Sequence, residues 1–577
     1  MSEPSRDRLF RGYGPLIGFS AMFLAIAVLV PSQTREVNTG GAGTDGSSAI
    51  NLADEDAGLT EEDLATTDEG TAAGPETKVE GESKTAGNPK AGTAGRTADG
   101  RTIEGSNGGS AGSAGSAGSG PAKVGGCADR PRQVPHDPYS PPCISFTGSN
   151  SGATSPGVTA DTIKVSVRLQ GFSNGMLDAL SKVANAKIPT EPPELIAETL
   201  NGLVDYFNRT FQMYGRKIEL VNYNGKGDVL KEMTGGGQEA AEADALKVQQ
   251  EIQAFADVSA VSPVYADALA RRRVINIGAP YVSREWLAQR GPYSWSQFTD
   301  CSTTVESVAS YYVTKLGNRN ADFAGPGIKG QPRRAAIIAP ENSWYQECVN
   351  SGLKIIERAG LRAELNEKYR LDINQMSIQA GEKLAKLKNA KITTVICGCD
   401  PLFLTFLTAK AKEQNYNPEW VITGVALIDN DLIGSILEQG QWGRAFGVSF
   451  SGAPQPEGQG LGYRAYKSVR KNEPSIGVEL IYNQLELLAI GIQMAGPNLT
   501  PASFQGGMFN YPTRTGPSGT WGFKPGDYST SDDAREVFWN RSAVSPQTRD
   551  PGTYQNPNGD ARFPIGRWPA TPPRMSP

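Results

Sequence analysis

Histidine is almost missing from this chain: His136 is the only one in 577 residues. A Ser-His-Asp triad and a His-x-x-His metal site are set aside by that shortage, and most hydrolase chemistry with them. Neither sign of charge is in excess, with Lys+Arg 56 against Asp+Glu 61, so no nucleic-acid partner is expected. Long apolar runs are confined to one, Gly14-Pro-Leu-Ile-Gly-Phe-Ser-Ala-Met-Phe-Leu-Ala-Ile-Ala-Val-Leu-Val30. It is at the short end of what spans a bilayer. Arg6, Arg8 and Arg11 precede it, which places the N-terminus in the cytoplasm and the remainder outside. Residues 1–33 read as a cytoplasmic N-terminus and uncleaved signal anchor, so the chain is expected in the cell membrane as a single-pass protein. A cleaved signal peptide ending near Ala25-Ile-Ala27 is the alternative and would leave the chain secreted. A lipoprotein is not expected, because the first cysteine, Cys127, is far from the apolar run.

Residues 34–125 are Gly, Ala, Ser, Thr and acid, ending in Gly108-Gly-Ser-Ala-Gly-Ser-Ala-Gly-Ser-Ala-Gly-Ser-Gly120. Such a stretch buries too little apolar surface to offset its ordering entropy and reads as a disordered linker. Its root-mean-square span is roughly 50 Å. The folded region is 126–577. Short apolar runs there alternate with helical segments. Strands are expected at 162–169, 216–224, near 258–261, at 273–279, 334–339, near 365, at 392–397, 420–423 and 445–450. Helices are expected at 193–214, 238–254, from 265, at 303–316, 345–359, 376–387, 402–414 and 477–495. This rhythm predicts an α/β fold of parallel strands buried on both faces, in two sets that divide near residue 300. The Pro- and Gly-rich tail from Thr513, with Trp521, Trp539, Tyr554 and Trp568, is expected to cover a surface without forming its own core.

Four short motifs carry a resemblance: Gly157-Val-Thr-Ala-Asp-Thr-Ile-Lys-Val, then Asp205-Tyr-Phe-Asn208 with Gly215-Arg-Lys-Ile-Glu-Leu-Val221, then Ser343-Trp-Tyr-Gln346, then Tyr416-Asn-Pro-Glu-Trp-Val421. In this order, over roughly residues 157 to 500, the chain resembles the type 1 periplasmic binding proteins. It looks most like the branched-chain amino acid (Leu/Ile/Val) binding family of ABC transport receptors. The resemblance implies two Rossmann-like lobes joined by three crossings and closing on a small solute. It implies no catalysis and no cofactor, with an ABC permease as partner.

In such a fold the ligand sits where helix N-termini present free N–H groups. The resemblance matches Ser262-Pro-Val-Tyr265 and Gly278-Ala-Pro-Tyr281 to loops that hold a ligand carboxylate, which makes Ser262, Tyr265, Ala279 and Tyr281 candidates. Ser262 is equally an N-cap with Pro263 at the first helical position. Tyr345 matches a ligand-stacking tyrosine, with Trp344 beside it, whereas Ser343 and Gln346 have capping-box spacing. Asp400, after Cys397-Gly-Cys, faces a ligand ammonium or hydroxyl, or only caps a helix. The loop Thr423-Gly-Val-Ala-Leu427 departs from the family, with no acid before Asp429. An α-amino group would lack its partner there, and a buried charge without one is costly, which argues against an amino-acid ligand. Six cysteines in an exported chain are expected to pair. Their connectivity is open, and the reading adopted is Cys127–Cys143, Cys301–Cys348 and Cys397–Cys399.

Three functions follow: a solute receptor for transport, a membrane-anchored sensor or partner-binding protein that kept the fold, and a carbohydrate-acting enzyme with paired acids. The third lacks a mate for Asp400.

Overall fold

The computed structural model describes residues 130–169 and 191–576, apart from 234 and 457. The expected anchor, the linker and Cys127 lie outside the described residues. Among the described residues no helix is long and apolar enough to cross a membrane.

The first lobe starts at β1 (Thr162–Arg168), which buries Ile163, Val165 and Val167. Next come α1 (Pro193–Thr210), β2 (Lys217–Tyr223), α2 (Val229–Met233), α3 (Gln238–Lys247), β3 (Ala256–Asp257), α4 (Pro263–Arg271), β4 (Ile275–Ile277), α5 (Arg284–Gln289) and β5 (Ser294–Trp295). Every pairing in its sheet is parallel, in the order β2-β1-β3-β4-β5. The strand expected near 258–261 lies two residues earlier. Asp257 Oδ1 accepts the Ser259 N–H (2.7 Å) and hydroxyl (2.7 Å), which turns the chain out of the sheet.

The second lobe repeats the plan with α6 (Cys301–Tyr311), β6 (Ala335–Pro340), α7 (Ser343–Arg358), β7 (Leu365–Tyr369), α8 (Ile373–Asn389), β8 (Thr394–Cys397), α9 (Pro401–Glu413), β9 (Glu419–Ile422), α10 (Asp431–Ile436), α11 (Gln439–Trp442) and β10 (Ala445–Ser449). Its first five strands run β7-β6-β8-β9-β10, again all parallel and in the same relative order as the first lobe. Parallel strands buried on both faces need apolar side chains throughout, and β6, Ala335–Pro340, is buried at every position.

Three passages join the lobes. Residues 296–300 lead from β5 to α6, and 450–460 return from β10 to α12 (Leu461–Lys467). There α13 (Val478–Ala495) and α14 (Pro501–Phe509) complete the first lobe. α13 is buried over most of its length, taking Gln484, Glu486 and Gln493 inside with its apolar side chains. The third passage, 510–532, carries the short hairpin β11 (Arg514–Gly516) and β12 (Gly519–Trp521).

The tail corrects the sequence reading. β13 (Asp533–Val544) pairs antiparallel with β10, β14 (Pro551–Gln555) and β16 (Arg562–Pro564) flank β13, and β15 (Pro557–Asp560) lies between those two in sequence. The second sheet is therefore mixed. Trp539 and Tyr554 belong to the second lobe's core, Trp568 to a neighbouring cluster and Trp521 to the first lobe's core. Charge pairing replaces apolar periodicity in β13: Glu536 is 2 % exposed and meets Lys315 at 3.1 Å.

Candidate functional site at the lobe junction

In the first lobe the strand ends converge on Arg168, the last residue of β1, which is 1 % exposed. Its guanidinium takes both oxygens of Glu232 in a fork at 2.8 and 2.8 Å, meets Asp244 at 3.2 Å, and stacks 3.8 Å over the Tyr265 ring. Burial alone lowers the pKa of such a group, but the Glu232 carboxylate outweighs it and raises Arg168 above its usual value. Ser262 caps α4: its Oγ accepts the Tyr265 N–H at 3.2 Å, with Pro263 in the first helical position as expected. The same hydroxyl donates to Glu232 Oε2 at 2.5 Å. The Tyr265 hydroxyl meets that of Tyr223 at 2.5 Å and donates to Asp257 at 3.1 Å. Burial drives the Asp257 carboxyl upward, opposed by its bonds from Ser166 and Ser259. Gly227 is required here, since a Cβ on it would lie 2.2 Å from Arg168 Nη1.

In the second lobe the equivalent helix start is Asp400-Pro401. Asp400 Oδ1 accepts the Leu402 and Phe403 N–H groups at 3.0 Å each, and Tyr369 donates to Oδ2 at 2.6 Å. The Tyr369 ring stacks on Phe403 at 3.8 Å. Burial pushes the Asp400 carboxyl up, against those three donors. Cys397 and Cys399 are bridged beside this turn, and Cys301–Cys348 ties α6 to α7. Cys143 is also disulfide-bonded. The expected capping box at Ser343 does not form. The N-cap is Asn342, one residue earlier, and Gln346 Nε2 donates to the Pro340 carbonyl at 2.7 Å.

The two sets of strand ends meet directly. Tyr345, Val425, Ala426 and Leu427 pack on the first lobe's core, and burial pushes the Tyr345 hydroxyl to about 12. A methyl added at Gly235 would lie 3.2 Å from Trp344 Cη2. The Tyr281 hydroxyl faces the backbone N–H groups of Ala426 and Leu427, and burial raises its pKa. All three residues hold left-handed backbones, with φ 58°, 51° and 60°. Non-glycine residues in that region cost roughly 1–3 kcal/mol each and persist only where surroundings enforce them.

Beside this contact lies a cavity of about 400 Å3, walled by Tyr281, Leu427 and Asp429 and by all three passages through Gln297 and Thr299, Ser451 and Gln455, and Pro517 and Ser518. Of the residues expected at the site, Tyr281 lines this cavity. Ser262, Tyr265, Ala279, Trp344, Tyr345 and Asp400 sit at the strand ends, Ala279 fully buried with its N–H on the Ala260 carbonyl at 2.7 Å.

Asp429 is 3 % exposed, and its Oδ2 accepts the Ser449 hydroxyl at 2.6 Å. Its Oδ1, Gln297 Oε1 and Thr299 Oγ1 are buried in the wall with no hydrogen-bond partner. The sequence shows Asp429 as the first acid after Thr423, but nothing in it places that side chain in the cavity wall. It has no signal for Gln297 and Thr299, which follow a strand of only two residues. The hydrogen bonds of Arg168 and Glu232 are equally hidden, because they join positions 30, 64 and 76 residues apart.

Two similar lobes, three connecting passages and a cavity at their junction define a bilobal binding protein. The chain belongs to the periplasmic binding protein family, whose profile matches residues 197–542. Among solved structures, an ABC transporter solute-binding protein from R. palustris in complex with 4-hydroxybenzoate is similar at 12% identity and TM-score 0.49, covering 70% of this chain and 98% of that one. An ABC transporter substrate-binding protein from Aeropyrum pernix gives 14% identity and TM-score 0.49 over 70% and 96%. Another from Desulfitobacterium hafniense, in complex with Leu, gives 13% and 0.43 over 66% and 97%. No curated protein matches the chain.

Proposed function

We propose that this chain is an extracytoplasmic receptor that closes its two lobes around a small polar solute and hands it to an ABC permease. In this reading residues 1–33 hold it to the membrane and residues 34–125 give it reach. The observation that carries the proposal is the cavity at the junction. A space of about 400 Å3 is of the size that small-molecule sites occupy, and it is walled by every passage that hinge closure must bend. The strained residues Tyr281, Ala426 and Leu427 at its edge support a junction with two arrangements. Asp429 Oδ1, Gln297 Oε1 and Thr299 Oγ1 support a solute that presents hydrogen-bond donors.

A second reading, a sensor or partner-binding protein without transport, is favoured by one observation. The protein's own Glu232 carboxylate rests on Ser262, where the family resemblance puts a ligand. Calorimetric titration of the full chain with a metabolite panel tests the receptor reading. Saturable binding of at least one small polar compound, weakened by Asp429→Asn, is expected. Heat signals absent across the panel, with an unchanged melting temperature, would count against it.

A further inference from the structure

The first lobe contains a complete carboxylate site whose occupant is part of the chain. Three features point at one anion. The buried Arg168 guanidinium grips it in a fork at 2.8 and 2.8 Å, the Ser262 hydroxyl donates to it at 2.5 Å, and α4, nine residues long, starts at that serine. Charge-assisted, bidentate bonds of this kind are among the strongest a protein offers to a carboxylate. Arg168 Nε is buried with no partner, so the guanidinium has donor capacity to spare.

The anion is Glu232, on the five-residue α2, with glycines at 225, 227, 235, 236 and 237 on either side. Gly235, three residues beyond Glu232, stands against Trp344 of the second lobe, so this carboxylate is carried on a segment that reaches the junction. The second lobe offers the contrast. There the corresponding helix start supplies its own carboxylate, Asp400, which accepts two helix N–H groups directly. The first lobe has a neutral serine at that position and brings in a carboxylate on a glycine-flanked arm.

We propose that Glu232 is a tethered occupant of this seat and a specificity-determining residue that, by filling it, keeps carboxylate solutes off the first lobe's strand ends. The consequence for solute choice rests on the receptor reading, whereas the seat itself does not. With Glu232 removed, Arg168 and Asp244 remain as a neutral pair, and a free carboxylate restores both the missing charge and the acceptor for Ser262.

The test uses the full chain and sodium acetate against sodium chloride at equal ionic strength. Glu232→Ala is expected to melt at a lower temperature than the wild type and to recover saturably in acetate alone. The wild-type melting temperature should not respond to acetate. Adding Arg168→Met to Glu232→Ala should abolish the recovery. If Glu232→Ala fails to fold, refolding yield is the readout, and recovery in acetate but not chloride supports the seat. Glu232→Gln, which keeps the volume, is expected to fold and to ignore acetate. An acetate-insensitive Glu232→Ala, or a wild type that responds equally, overturns the proposal. A wild type that binds a carboxylate solute with affinity unchanged by Glu232→Ala overturns the specificity role and leaves the receptor reading standing.

Discussion

The two lobes share one strand order and solve the same local problem differently. In both, a strand ends at a helix whose start needs an acceptor, with a tyrosine alongside from the strand two places away in the sheet. The first lobe uses Ser262 and Tyr223, and answers with a buried charge cluster of Arg168, Glu232 and Asp244. The second uses Asp400 and Tyr369, and braces its turn with the Cys397–Cys399 disulfide, while Cys301–Cys348 ties α6 to α7 elsewhere in the lobe. A buried charge cluster is fragile to the loss of one member, because the others are left without a partner. A capped turn held by covalent bonds loses only what each part contributes. The repeated fold therefore hides two different sensitivities, and the first lobe carries the one that an anion can tune.

The contrast breaks most readily at Arg168. Arg168→Met leaves two buried carboxylates unpaired and is expected to cost about 3–5 kcal/mol in denaturant unfolding. A loss of less than about 1 kcal/mol would mean that the cluster is no more demanding than a surface pair. On the covalent side, opening Cys301–Cys348, which spans 47 residues, should cost about 4 kcal/mol, and opening Cys397–Cys399, which spans 2, about 1.5 kcal/mol. Equal losses for the two double serine variants would show that the second lobe is not braced in proportion to loop length.

The passages between the lobes should show a pH dependence that belongs to neither sheet. Asp527, in the third passage, has its pKa pushed up to about 7 by burial and by Asp532, with Lys524 opposing. A carboxyl raised on folding stabilises the protein below its unfolded value, near 4, and loses that contribution as pH rises through 7. Asp527→Asn should flatten this part of the stability profile by on the order of 3 kcal/mol between pH 4 and pH 8. A profile identical to the wild type would remove Asp527 from the junction's energetics. The smallest expected effect is at Asp400→Asn, about 1 kcal/mol, because asparagine still caps a helix.

Much of the fold was legible in the chain. Parallel strands such as β6 and β8 are short, mostly apolar and buried at every position, and the Ser262-Pro263 and Asp400-Pro401 helix starts are local signals that need no tertiary context. β13 was not legible, since Asp533, Arg535 and Glu536 are buried among apolar neighbours and only distant partners such as Lys315 make that tolerable. The same reason hid the Glu232 seat. Short motifs announce caps and turns, whereas a carboxylate arriving from a glycine-flanked arm leaves no periodic trace. The cavity was out of reach because its wall is assembled from three passages far apart in sequence.

The central claim is that a small solute governs how the lobes sit against each other. Spin labels at Leu246→Cys on α3 and Ile378→Cys on α8, both exposed, report the distance between the lobes, and among the described residues no cysteine is free to compete for label. Pulsed dipolar spectroscopy with the tightest solute from the calorimetric panel should give a shorter and narrower distance distribution than the unliganded chain. A distribution that stays the same at saturating solute would contradict the claim.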